Sequence, residues 1–144
     1  MIDNLPEDIR RRIQAQEEEV GTFVPGTYNP NSNCIGWVYS QLGVGPDVYT
    51  PTPSLGELAE KGIVDSRKLP KPTEPQALAV VLPRENPQDS RVIHIAYIDP
   101  DDLSFVTQRD LAGSSEARRF KREKFIEFNS VVGQPEIIPL VLVK

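Results

Sequence analysis

The sequence predicts an α+β domain in which short helices come first and an antiparallel sheet follows. Three observations predict it. Ile35, Val38 and Leu42 recur at helical spacing behind a capping asparagine, Asn33. Ala77–Leu82 is a short, unbroken apolar run that reads as a buried strand. Asp99-Pro100-Asp101-Asp102 is a strong turn between Val92–Ile98 and Leu103–Gln108, which reads as a hairpin. At 144 residues the chain is expected to form one compact domain, burying about 70% of its unfolded surface without cross-links.

Taken in order, Pro6 suits a first helical position, and Glu7 and Asp8 suit the positive end of a helix dipole. Ile9 and Ile13 mark one face of a helix reaching about Glu19, a candidate surface for a protein partner. Residues 1–26 are therefore read as an N-terminal helix and linker, with Gly21–Ser32 as loop. The second helix runs from Asn33 to Leu42 and stops at Gly43. Gly45–Pro53 reads as another loop. Ser54-Leu55-Gly56-Glu57 is a capping box opening a short helix that ends near Gly62. Ser114 or Ser115 caps a segment through Asn129 in which helix and strand signals compete. Ile137–Val143 closes the chain as a strand, placed at an edge because Pro139 has no ladder donor.

Composition excludes several function classes. Hydrophobic residues make up 38% and charged residues 26%, so the chain is not of the disordered type. A net charge of -5 argues against nucleic acid as partner. One cysteine and one histidine rule out an internal disulfide and a four-ligand Cys/His zinc site, and no cofactor is implied. Neither a secretory leader nor a membrane span is evident, so the expected location is the cytoplasm, or outside by a signal-independent route.

The single cysteine and single histidine sit where thiol chemistry would need them. Cys34 falls in the first turn of the second helix, where unpaired amides favour a thiolate and can hold an oxyanion. The bland alternative is a small buried side chain. His94 lies mid-strand, its face expected to include Val92, Ala96 and Ile98, so the imidazole needs a partner. A third residue would accept a hydrogen bond and fix the ring. If Ile98 pairs with Ser104, His94 faces Gln108; a slip of one offers Thr107, and Asp110 is a further candidate.

Two charged clusters carry less. Arg118–Lys124 holds five cations and reads as a solvated face in an acidic chain. Asp99, Asp101 and Asp102 are ordinary turn formers, without the spacing of a calcium loop.

The ordered motifs resemble the NlpC-type papain-like cysteine peptidases, a bacterial superfamily of peptidases and amidases. Asn33-Cys34-Ile35-Gly36-Trp37-Val38 is similar to that family's Asp-Cys-Ser-Gly-Leu-Val helix, and His94-Ile95-Ala96-Tyr97-Ile98 to its His-Val-Gly-Ile-Tyr strand. Thr50–Ser54 and Glu74–Val81 resemble the stretches between them. The likeness covers roughly residues 27–110. It departs at Asn33 and Ile35, where the family has aspartate and serine, and lacks the glycine-aspartate entering the first strand.

The resemblance implies a papain-like hydrolase domain over 27–144, with Cys34 as nucleophile, His94 as base and Gln108 as orienter. Tyr28 and Asn33 are its candidate oxyanion or substrate-binding residues, and a peptide-like or protein substrate is expected. Hydrolysis of an amide, deamidation and acyl transfer all fit. So does a non-catalytic protein-binding module on the same scaffold.

Overall fold

The computed structural model describes residues 21–71, 73–109, 116–130 and 135–143. The N-terminal helix expected over 6–19 and the candidate Asp110 lie outside these residues. Among the described residues one seven-stranded antiparallel sheet carries helices on both faces. In chain order the strands are β1 (Thr22–Phe23), β2 (Ile63–Asp65), β3 (Ala77–Leu82), β4 (Arg91–Ile98), β5 (Phe105–Gln108), β6 (Arg118–Lys121) and β7 (Glu136–Leu142). Their order across the sheet is β1-β6-β5-β4-β3-β7-β2. The helices are α1 (Cys34–Leu42), α2 (Leu55–Glu60) and α3 (Arg122–Ser130). None is long and apolar enough to cross a membrane.

α1 forms where its caps demand. The Asn33 side chain accepts the Gly36 amide at 3.0 Å, and Gly43 closes the helix in the left-handed region at φ 73°. Gly43 returns its amide to Ser40, and Val44 returns its own to Tyr39. α2 is capped by Ser54, whose hydroxyl accepts the Glu57 amide at 3.2 Å. It stops at Glu60, and β2 follows.

Three further expectations change. Phe23 and Thr22 are not loop but a two-residue edge strand on β6. The ambiguous segment after Ala117 is both things at once: β6 runs to Lys121 and α3 begins at Arg122. β7 is not an edge; it lies between β3 and β2. Pro139 is tolerated there because Leu140 turns its carbonyl toward β3, accepting from Gln76 at 2.7 Å. The Pro139 nitrogen therefore faces the β2 side, one residue past the Asp65–Leu140 pair where β2 ends. No ladder bond is lost.

The core is split by the sheet. On one face α1 packs Cys34, Ile35, Val38 and Leu42 against Ala77, Ala79, Val81, Val92 and Ile95. On the other, Phe125 of α3 packs with Leu78, Val80, Ala96, Ile98, Val106 and Phe120. Strand alternation accounts for both sets, except at one place. Val80 pairs with His94 while Val81 pairs with Val92, so Ile93 is an extra residue, a bulge in β4.

Candidate functional site

Cys34 is the first residue of α1 and is 0% exposed. The loop over 46–50 roofs that helix end. Asn33 holds it in place, its amide nitrogen donating to the Thr50 carbonyl at 2.7 Å and its oxygen accepting the Thr50 amide at 3.2 Å. The fit is close: a Cβ added at Gly36 would stand 1.9 Å from the Val48 carbonyl oxygen. The Gly36 amide, a potential oxyanion donor, is already taken by the cap. Asn33 thus both caps α1 and clamps the loop over it.

The roof is fastened by an ion pair with no counterpart in the sequence reading. Arg109, 1% exposed, directs Nη2 to Asp47 Oδ2 at 2.7 Å and Nε to Oδ1 at 3.2 Å. Ser32 donates its hydroxyl to the same carboxylate, and Asn29 donates to the Asp47 carbonyl at 2.6 Å. Burial by itself would raise the Asp47 carboxyl. The hydrogen bonds from Arg109 and Ser32, with the Arg109 charge, outweigh it and hold the group below the ordinary carboxylate value. The guanidinium also lies 5.1 Å from the Trp37 ring centroid, and Trp37 donates its indole N–H to Thr107 at 3.1 Å. One signal for this was available. Asp47 is the lone charge in an otherwise neutral stretch, and such a residue needs a counterion or water.

His94 is brought to Gln108, not to Cys34. One imidazole nitrogen, Nε2, lies 2.7 Å from the Gln108 side-chain oxygen. The expected contact is present, but the register behind it differs: Ile98 pairs with Val106, two residues on from Ser104. A slip of two keeps every side chain on its face, so Gln108 becomes a diagonal neighbour of His94. Thr107 faces the other way, toward Trp37.

The strand register assigns His94 and Cys34 to different clusters. His94 shares its face with Ala96 and Ile98 as expected, but the bulge at Ile93 removes Val92 to the opposite face. The imidazole stacks on Phe125 of α3 at 5.7 Å between centroids. Cys34 belongs to the cluster beneath α1. The sheet stands between them.

Tyr28 lies 66% exposed on the loop before α1. The basic segment is largely engaged: Arg118 covers the Phe23 ring, Arg119 pairs with Asp99 at 2.9 Å, Arg122 with Glu74 at 2.9 Å and Lys124 with Glu127 at 3.3 Å. Among the described residues no group of three or more His, Cys, Asp or Glu side chains is arranged to hold a metal. Comparison with models of known families, with curated proteins and with solved structures finds no match to this chain.

Proposed function

We propose that this chain is a non-catalytic protein-binding module, built on a scaffold that resembles the papain-like one in its order of helix, strand and hairpin. One observation carries the reading: the end of α1 that would hold a thiolate and an oxyanion is closed by the loop over 46–50, with Cys34 fully buried beneath it. A nucleophile must meet its substrate and its base, and here the base candidate is across the sheet. Cys34 then acts as a small core side chain.

The hydrolase reading, with a peptide-like substrate, keeps one contact in its favour, the 2.7 Å bond between His94 and Gln108. In the binding-module reading that bond satisfies two half-buried polar groups beside Phe125 and has no further task.

Thiol labelling separates the two. Iodoacetamide at about pH 6 should label native Cys34 at least about a hundredfold more slowly than free cysteine, with full labelling in denaturant. Labelling faster than free cysteine, lost in His94→Ala, would establish the hydrolase pair instead.

A further inference from the structure

Leu55 and Ala59 stand one turn apart in α2 and so share one face of that helix. That face does not close on the sheet. Between it, β2 with the turn Ser66–Lys68, the turn Pro87–Asp89 and the end of β7 lies a cavity of about 330 Å³. Ile63 and Leu140, each 1% exposed, form its floor, and Leu55, Ala59, Leu69 and Val143 its walls. Sites for small molecules are mostly apolar clefts of ~300–1,000 Å³ with a few polar groups at defined places.

The walls are tied together. Leu55 donates its amide to the Ser90 carbonyl at 2.9 Å, which fixes the start of α2 against β4. Gly62 donates to the Ala59 carbonyl at 2.9 Å and accepts the Val143 amide at 2.7 Å. Gly56 lies so near the turn Pro87–Asp89 that a Cβ there would stand 3.2 Å from the Gln88 carbonyl oxygen. A cavity braced in this way needs little reorganisation to be filled.

The polar groups at the mouth set the charge of an occupant. The acid in the wall, Asp65, is held at both oxygens by Arg67, Nε at 3.1 Å and Nη2 at 2.8 Å. Lys68 acts on that carboxylate only from beyond salt-bridge distance. The side chains of Lys68 and Gln88, both at the cavity, make no hydrogen bond or salt bridge with any described residue. An ammonium and an amide NH2 are donors, so the mouth offers a cation and an uncharged donor above an apolar floor.

We propose that this cavity binds a medium-chain alkyl carboxylate, its tail against Ile63, Leu140 and the α2 face and its carboxylate at Lys68 and Gln88. An alkylamine would bring like charge to Lys68, and an alkanol would lack the charge that Lys68 can pair. The proposal goes beyond the binding-module reading and does not depend on the state of Cys34.

The test titrates the full chain with sodium octanoate, beside hexanoate, octanol and octylamine, and follows backbone resonances. Octanoate should bind saturably, with shifts confined to 55–69, 87–90 and 140–143. Two fewer methylenes should weaken hexanoate by about tenfold, and octanol should bind at least about fivefold more weakly than octanoate. Lys68→Gln should remove about that fivefold preference and leave octanol binding unchanged. Ala59→Leu, which fills the cavity from an exposed helix position, should weaken both ligands at least about tenfold without lowering the melting temperature. No saturable binding of octanoate overturns the proposal, as does binding that Ala59→Leu leaves intact. Octanol or octylamine binding as tightly as octanoate also overturns it, and would leave a purely apolar pocket such as a partner's side chain fills. Self-association abolished by Ala59→Leu would assign the cavity to a second copy and overturn it likewise. Cys34 labelling is independent of all these outcomes, so failure here leaves the non-catalytic reading standing.

Discussion

Arg109 and Asp47 are the residues on which the loop over α1 depends. Removing Asp47 takes a two-point partner from Arg109, which has almost no access to water. Asp47→Asn should destabilise the fold by about 3 kcal/mol, measured by urea unfolding. The pH dependence follows from the direction of the shift. Asp47 titrates below its ordinary value in the folded protein, so the folded state binds its proton less readily than the unfolded chain does. The contribution is therefore complete above about pH 4, the unfolded carboxylate range, and is lost as pH falls through the depressed folded value. Asp65 and Asp99 are lowered too, where burial again opposes and bonds to Arg67 and Arg119 prevail. Wild-type stability should thus fall steeply below about pH 4, and Asp47→Asn should flatten part of that slope. An unchanged slope would mean that the pair contributes nothing to folding.

At the scale of elements, Gly36 gives the sharpest test. Alanine normally strengthens a helix over glycine by up to about 1 kcal/mol. Here the added methyl meets the Val48 carbonyl, so Gly36→Ala should instead destabilise by about 1–3 kcal/mol and loosen amide protection across 46–50. A stabilised variant would show that the loop is not seated on the helix. This contact was beyond sequence reasoning, whereas the helix itself was not. Asn33, Leu42 and Gly43 declared α1 because caps are local chemistry, and Ala77–Leu82 declared β3 because a buried strand is apolar throughout. The register of the hairpin, the bulge at Ile93 and the interior place of β7 depend on partners distant in sequence. Pro139 argued for an edge only while the length of β2 was unknown. His94 and Gln108 could be paired in advance because a slip of two preserves a face. The face that α1 covers could not be read, since both sides of β4 are apolar.

For the whole molecule the sheet is a partition, and the two cores should fail separately. Phe125 is buried on the α3 face, stacked on His94 and 6.4 Å from the Phe120 ring. Phe125→Ala should cost about 3–5 kcal/mol through lost burial and a residual cavity. Val38, by contrast, lies in α1 on the same face as Cys34. If the sheet isolates the thiol, Cys34 in Phe125→Ala is reached only when the whole chain unfolds. Its labelling rate should then rise by the same factor as the unfolded fraction, about a hundredfold or more for that loss of stability. In Val38→Ala, α1 can loosen by itself, and labelling should exceed what global stability accounts for. The comparison needs only unfolding curves and labelling rates on the same two variants. Excess labelling in Phe125→Ala would mean that the α3 face communicates directly with Cys34, and the separation of cysteine from histidine would lose its structural basis.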